Sequence, residues 1–393
     1  MKLNQYINTY CTGCGLCHSV KGTTLEIIDR GFPNSTVEEV ESYDFYKKVC
    51  PVFYYAGICD YDVWGKVDKA IVAYSSDSAL RYKAASGGAL TEISIYLIEN
   101  RLVDGILHTT YDPQDSTKTI SCVSSTKEEI IARCGSRYSI SVPLIDVLQK
   151  VDKNKKYAFV GKPCDVMALR NYLAVNNDME SVFPFLLSFF CAGEPSVDAQ
   201  IALLNKMGCK IEDCNHITYR GNGWPGYATV LRKDGTISDL EYKIAWGSYL
   251  GRDLRNICRF CLDGTGEAAD IVCADFWYLD PEGKPEFSEH DGRNIIISRS
   301  KKGTDIMREM VKSGQLVNES DYTGNMGEFY KYQPHQYKRK GTMKSMILAM
   351  RLCGKKAPRY NRTYLNRYAN HISSVEKIRF FAGTIKRIIK GRI

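Results

Sequence analysis

The sequence predicts an α/β (α+β) fold: a body built on a mixed sheet, a small cysteine-bearing module before it and a helical segment after it. Three observations carry this. Strand-like and helix-like runs alternate from residue 69 to 208, the signature of a largely parallel sheet. Residues 1–65 are rich in cysteine, glycine and turns and only weakly periodic. From about residue 336 the chain turns basic and helical, so the expected divisions are 1–65, 66–335 and 336–393.

In order, "KAIVAYSSD" (69–77) opens the body as a strand, "ALTEISIYLIENRL" (89–102) reads as a helix and "VDGILHTTY" (103–111) as a strand. "SVPLIDVLQKV" (141–151) looks helical, and "KYAFVGKPCDVMALRNYL" (156–173) reads strand, tight loop, helix. "VFPFLLSFFC" (182–191) is a buried strand and "PSVDAQIALLNKMG" (195–208) the next helix. Over 215–250 a Gly/Pro turn precedes "LRKDGTI", a hairpin with Asp-Gly at its tip. "DIVCADFWYL" and "GRNIIISRSKKG" add further strands.

Composition narrows the function classes. The 393 residues, 44% hydrophobic and 25% charged, suit a globular protein of two to three domains. The longest apolar run, 183–193, falls short of the ~20 residues a membrane span needs. "MKLNQYINTYC" lacks the apolar core of a secretory signal, so a cytoplasmic protein is expected. Fifteen cysteines, an odd number, then point to metal rather than disulfides. The net charge of +8 hides an asymmetry: Lys338–Ile393 holds 16 Lys and Arg against one acid, Glu376, leaving the rest of the chain mildly acidic. The body has no recognisable nucleic-acid module, and no nucleic-acid partner is expected.

"CTGCGLCHSV" sets Cys11, Cys14 and Cys17 at intervals of three, with Gly13 and Gly15 letting the loop curl. The next cysteine, Cys50, is followed by proline. A C-x2-C-x2-C run completed by a distant Cys-Pro is the ligand pattern of a ferredoxin-like [4Fe–4S] cluster, although 32 residues here replace the usual short gap. Zinc is the competing reading, but its sites usually come as paired C-x2-C knuckles.

A second set is Cys258 and Cys261 in "NICRFCLDG", Cys164 in "VGKPCD" and Cys191 closing "LLSFFC". Cysteines at strand ends and one C-x2-C loop can meet at the carboxyl edge of a parallel sheet, where α/β proteins place ligands. Equally, Cys164 and Cys191 fit as small buried hydrophobes, with the C-x2-C as half a zinc knuckle. Cys59, Cys122, Cys134, Cys209, Cys214, Cys273 and Cys353 show no partner pattern and read as structural.

Three turns are candidate anion or ring sites. "KAASGGALTEI" puts Ser86, Gly87 and Gly88 at a helix start, where exposed N–H groups favour phosphate. "RCGSRYSIS" offers Gly135, Ser136, Arg137 and Tyr138, and "ITYRGNGWPGY" offers Arg220, Gly221, Gly223 and Trp224. Each is also an ordinary loop, and no G-x-G-x-x-G supports a Rossmann dinucleotide site.

Taken in order, "CTGCGLC … CP … ASGG … GSRY … FVGKPCD … FFCAG … CRFC … AD" resembles the coenzyme F420 hydrogenase/dehydrogenase beta subunit family, over about residues 8–315. The resemblance implies an FAD-binding α/β body with one or two [4Fe–4S] clusters. It makes Cys164, Cys191, Cys258 and Cys261 cluster ligands and sets the flavin near Ser86–Gly88 and Gly135–Tyr138. It further implies a converter: single electrons from ferredoxin or another low-potential donor leave the flavin as hydride, onto a deazaflavin or another small-molecule acceptor. Lys162, Asp165, Arg220 and Asp275 are the candidates to bind or protonate the acceptor; His108 and His216 read as structural more readily than as acids. The chain departs from the family at "GKPCD", where G-T-P-C-Q is usual, and its basic tail lies outside the shared region. "RGNGWPGY" and the tail look most like bacterial members associated with polysaccharide synthesis, which makes a deazaflavin partner less expected.

Two other classes stay open: an electron-transfer subunit with no substrate of its own, and a zinc-stabilised binding protein without redox activity. The tail's final stretch sets Ile378, Phe381, Ile385, Ile388 and Ile389 on one helical face, ringed by basic residues. Such a helix suits an anionic membrane surface, here the inner face, or docks its apolar side on the body.

Overall fold

The computed structural model describes residues 3–36, 43–53 and 62–391. Cys59 lies outside the described residues. At the amino end, helices Leu3–Tyr10 and Leu16–Lys21 flank the cysteine loop, a two-stranded ribbon pairs β1 (Thr24–Ile27) with β2 (Pro33–Thr36), and helix Tyr43–Val49 leads to Cys50. This part is not set apart: Cys14, Leu16 and Val49 pack into the same apolar cluster as Phe159, Val166 and Leu169 of the body.

The body is one eight-stranded mixed sheet. Its strands are β3 (Lys69–Ser75), β4 (Gly105–Asp112), β5 (Asp115–Ser124), β6 (Tyr157–Gly161) and β7 (Phe185–Phe189), then β11 (Ile271–Asp275), β12 (Asn294–Ser298) and β13 (Leu316–Asp321). The order across the sheet is β13-β3-β12-β11-β7-β6-β4-β5. β4, β6, β7 and β11 run parallel, while β5, β12 and β13 pair antiparallel and make the sheet mixed. The parallel centre reads "YAFVG" and "FLLSF" because both its faces are covered. Helix Pro163–Val175 covers one face; helices Ala89–Glu99 and Lys301–Lys312 cover the other.

Between β7 and β11 the chain leaves the sheet. Helix Val197–Lys206, capped by Ser196 Oγ on the Ala199 amide, is followed by a meander of β8 (Cys214–Thr218), β9 (Tyr227–Arg232) and β10 (Ile237–Glu241). The expected Asp-Gly tip turns β9 into β10, with Gly235 at φ 85°.

Two expectations change. The helix expected over 141–151 shrinks to Val147–Lys150, because Pro143 cannot extend a helix backward and the Leu144 amide instead donates to the Cys14 carbonyl at 2.9 Å. The basic tail is no appendage. Helix Pro334–Leu352 buries Arg339 and Lys340, and Lys340 forms an ion pair with Glu267 in which both side chains are 2% exposed. Helices Arg362–Ala369 and Ser374–Ile389 pack on that helix, with Phe380, Thr384 and Ile388 turned inward.

Candidate functional site

The carboxyl ends of β6, β7 and β11 converge on one cavity of about 570 Å³. β6 delivers Lys162 and, at the start of the next helix, Asp165; β7 delivers Cys191; β11 ends in Asp275. Ser86 and Gly88, the run Gly135–Tyr138, and Arg220 also line this space. Residues from all three candidate turns are thus brought together, 50 to 130 residues apart in sequence. Gly87 lies just behind the wall, where a Cβ would meet the Arg293 backbone at 2.8 Å. Gly221 and Gly223 do not line the cavity; they form the turn behind Arg220, at φ 142° and 113°.

Each wall has its own chemistry. Helix Ala89–Glu99 starts at the cavity with no side-chain cap on Gly88, and Leu90 and Thr91 of its first turn face the space. Asn294 Oδ1 takes the Ala89 amide at 3.2 Å, which leaves the Leu90 and Thr91 amides as a polar cradle at the positive end of the helix. Arg137 is spent on structure: it donates to the carbonyls of Ser116 at 2.8 Å and Lys118 at 3.0 Å. Tyr138 stands against Trp246, ring centres 4.9 Å apart. Arg220 grips Asp275 with two parallel bonds of 2.8 and 2.9 Å, and Trp224 Nε1 donates to the same carboxylate at 2.8 Å. The guanidinium lies over Tyr242 and Trp277. Burial works against the Asp275 charge, but Arg220 outweighs it and holds the carboxyl below its usual range. Burial, then Arg133, pushes His108 down to about 4, so it stands neutral at the cavity wall.

Lys162 Nζ donates to Ser141 Oγ at 2.6 Å and to Glu194 Oε1 at 3.1 Å, with Asp165 at 3.3 Å. Glu194 is 3% exposed and its other oxygen takes Arg255 Nε at 2.7 Å. Burial would raise Glu194, but Lys162 and Arg255 outweigh it and keep the carboxyl low; Asp165, with burial dominant, is pushed up to about 6. The sequence reading missed Glu194, Ser141 and Arg255. "CAGEP", three residues past a strand-end cysteine, was the available signal for the first.

By their mutual electrostatic influence the eight candidate thiols sort into two sets of four. Burial pushes Cys50 well up, and Cys14, Cys11 and Cys17 add to it. In the second set, burial is reinforced at Cys164 by Cys191 and Cys261, and at Cys258, pushed up to about 12, by Cys191 and Cys261. None of the eight forms a disulfide among the described residues. Among the described residues, no group of three His, Cys, Asp or Glu is spaced to hold a single metal ion. The donors around the sulfurs nevertheless suit bound thiolates. The Gly13 amide reaches Cys11 Sγ at 3.3 Å, and the amides of Leu16, Val52 and Gly193 serve Cys14, Cys50 and Cys191 in the same two-residue register. N–H donors converge on sulfurs that burial and mutual repulsion keep protonated when bare, so a cationic cluster would deprotonate and fill the set. Gly15 is required here: at φ 86° its Cβ would strike the Ile145 backbone at 2.8 Å.

Helix Pro334–Leu352 braces the second quartet, with Gln336 Nε2 donating to the Cys191 carbonyl at 2.9 Å and Arg339 at 3.2 Å. Cys191 also lines the cavity, so one residue is common to both.

A ligand-sized cavity at the carboxyl edge of an α/β sheet, abutted by clustered buried thiols, is the framework of an oxidoreductase with an electron-transfer role. Comparison with known proteins gives the particular family. Residues 70–149 match "Coenzyme F420 hydrogenase/dehydrogenase, beta subunit N-term", and residues 154–321 match the carboxyl-terminal region of the same beta subunit. The chain belongs to the coenzyme F420 hydrogenase/dehydrogenase beta subunit family. It is 26% identical to the coenzyme F420 hydrogenase subunit beta of Methanococcus voltae over 64% of this chain and 84% of the relative. It is 25% identical to the coenzyme F420-dependent sulfite reductase of Methanocaldococcus jannaschii, over 59% of this chain but 36% of that larger protein. It is 24% identical to the chloroplastic 7-hydroxymethyl chlorophyll a reductase of Oryza sativa subsp. japonica, over 61% of this chain and 48% of the relative. A chain from the F420-reducing [NiFe] hydrogenase complex of Methanosarcina barkeri shares the fold, with a TM-score of 0.56 at 20% identity, over 77% of this chain and 99% of that one. The matched family regions begin after the first quartet and end before the carboxyl-terminal helices.

Proposed function

We propose that this chain is an iron–sulfur flavoprotein that converts one-electron donation into two-electron reduction of a small organic acceptor. [4Fe–4S] clusters would sit on Cys11, Cys14, Cys17 and Cys50 and on Cys164, Cys191, Cys258 and Cys261, with FAD in the cavity. When bound, the clusters carry electrons singly and the flavin passes them on in pairs. Two electrons from a ferredoxin-like donor and two protons would reduce one double bond of the acceptor. The observation that carries this reading is Cys191, which belongs to a thiol quartet and to the cavity wall at once.

Within it, Ser86, Gly88 and the amides of Leu90 and Thr91 hold phosphate, and Gly135, Ser136 and Tyr138 line the flavin. Lys162, held by Ser141 and paired with Glu194, stands at the cavity wall beside Asp165, and the pair is the candidate to bind or protonate the acceptor. Arg220 and Asp275, locked together and shielded by Tyr242 and Trp277, orient the acceptor rather than exchange protons. The divisions 1–65, 66–335 and 336–393 then correspond to cluster module, flavin body and brace. A sugar-containing acceptor from polysaccharide synthesis rests on the resemblance around "RGNGWPGY". A cytoplasmic protein touching the inner membrane face is supported by helix Ser374–Ile389, where Val375, Ile378 and Ile389 are exposed beside Arg379, Lys386 and Lys390. No described helix is long and apolar enough to cross a membrane.

The test is anaerobic purification followed by iron, sulfide, zinc and flavin counts. About eight iron atoms and one FAD per chain are expected from two cuboidal clusters and one flavin. About four iron atoms with FAD would reduce the proposal to one cluster. Zinc without flavin would overturn it.

A further inference from the structure

Arg255 stands between the two thiol quartets. It is 3% exposed, three residues before Cys258, and its side chain reaches back across the molecule to the first cysteine loop. One edge of the guanidinium is satisfied: Nε donates to Glu194 at 2.7 Å, and Nη1 to Asn34 Oδ1 at 2.6 Å, the Pro33 carbonyl at 3.1 Å and the Cys11 carbonyl at 3.4 Å. The Phe32 ring lies 4.7 Å away. Nη2 is buried and has no hydrogen-bond partner among the described residues.

The bare nitrogen faces the first cysteine loop. A Cβ on Gly13 would lie 2.5 Å from Nη2, so Gly13, at φ 72°, leaves room for the guanidinium against the loop holding Cys11 and Cys14. Of the thiols, Cys11 and Cys258, one from each quartet, feel its charge most. On the Cys258 side Glu194 lies between and offsets that charge; on the Cys11 side no acid intervenes among its hydrogen-bond partners. A buried N–H without a partner costs about 1–3 kcal/mol, more for a charged group, which makes a guanidinium held so by four other contacts a group prepared for an acceptor. Among the described residues no protein acceptor meets it; sulfur bound at Cys11, Cys14, Cys17 and Cys50 would supply one.

We propose that Arg255 is a positioning residue that sets the reduction potential of the amino-terminal cluster, donating Nη2–H to a cluster or ligand sulfur and holding its positive charge against that site. Taking up one electron from a low-potential one-electron donor makes the cluster one unit more negative. A fixed cation and an N–H donor both stabilise that product, so Arg255 raises this potential. Through Glu194 the same side chain is joined to Lys162 at the cavity wall. The inference rests on the cluster assignment proposed above and goes beyond it by naming what makes the two sites unequal.

The experiment is a dithionite titration of the full-length, anaerobically purified protein, followed by electron paramagnetic resonance, for wild type, Arg255→Lys and Arg255→Gln. The same set is repeated in a Cys258→Ser background to isolate the first cluster's signal. Iron is counted first. With iron retained, the first cluster's midpoint is expected to move to more negative potential in Arg255→Lys and further in Arg255→Gln, while the second cluster's moves less. A midpoint unchanged in both variants would overturn the proposal. Should Arg255→Gln lose iron, wild type grown with 15N-arginine decides: a 15N coupling to the reduced first cluster supports it, and no coupling overturns it. A wild-type chain without iron at this site removes the proposed function itself; an iron-loaded one with an unmoved midpoint removes only the role of Arg255.

Discussion

The two thiol quartets are built in opposite ways. The first is local: three cysteines share one seven-residue loop, that loop's own amides face the sulfurs, and only Cys50 comes from elsewhere. The second draws on three segments spread over nearly a hundred residues, meeting at the ends of β6 and β7 and braced by a helix that follows the whole sheet. The first abuts the bulk of the protein through Arg255, whereas the second opens onto the cavity through Cys191. A local loop can be exchanged or retuned without disturbing the sheet; a site at a sheet edge is only as good as the fold that assembles it. The matched family regions agree with this division, covering three segments of the second quartet and none of the first loop.

The sharpest way to break the comparison is to remove the quartets one at a time. Cys14→Ser should release about half of the bound iron and leave flavin content intact, while Cys164→Ser should release the other half and also weaken flavin retention, since its neighbours form the cavity wall. Iron, sulfide and flavin counts on both variants check this. Equal loss of flavin from both would show that the sites are not the separable units described.

Next in size is the residue that joins them. Glu194 neutralises Lys162 on the cavity side and Arg255 on the other. Glu194→Gln leaves Arg255 facing a neutral amide and Lys162 with Asp165 as its remaining acid, and the cost of breaking a buried pair in this way is about 3–5 kcal/mol. Denaturant unfolding of the anaerobic protein measures it. A loss below about 1 kcal/mol would mean that the pairs are solvated and that the link between the sites carries little energy.

A smaller change reaches only one side. Gly13→Ala places a methyl 2.5 Å from Arg255 Nη2 at a backbone angle of +72° that disfavours side chains. The expected cost is about 1–3 kcal/mol, with faster loss of iron from the first quartet in air and none from the second. The reverse order of iron loss would contradict the local character assigned to the first site.

How much of this was legible depended on distance along the chain. The C-x2-C-x2-C loop declares itself because all its information lies within seven residues, and the strand–loop–helix at 156–173 does so because "YAFVGKPCD" carries its own apolar run, turn and capping acid. Helix 141–151 failed for a local and a distant reason: Pro143 was there to be read, but the claim of Cys14 on the Leu144 amide comes from 130 residues earlier. Arg255 and Glu194 were invisible for the same reason, as a single charge has no pattern until the fold gives it a partner. Docking of the tail was one of its two readings, yet no local pattern pairs Arg339 and Lys340 with their buried acceptors at Cys191 and Glu267. Arg137 lies on the cavity wall where it was expected, but its bonds to the Ser116 and Lys118 carbonyls had no local signal.

The last prediction supplies the baseline for the others. Glu92 sits on helix Ala89–Glu99, behind the cavity's cradle and away from both quartets, buried at 7% exposure with Ser75 Oγ donating to it at 2.6 Å. Burial raises its pKa, and the Ser75 bond only partly offsets this. A carboxyl with a raised folded-state pKa contributes stability that is fully present below its unfolded value, near 4.3, and is lost as pH climbs through the folded value. Stability should therefore decline from this group as pH rises above ~4 through the raised folded value, and Glu92→Gln should flatten that part of the profile. Because no thiol is involved, iron content of both quartets should stay level across the same titration. If Glu92→Gln instead shifts iron retention at either site, the sheet edge and the helix that covers it are coupled, and the second quartet's dependence on the whole fold extends to the far side of the cavity.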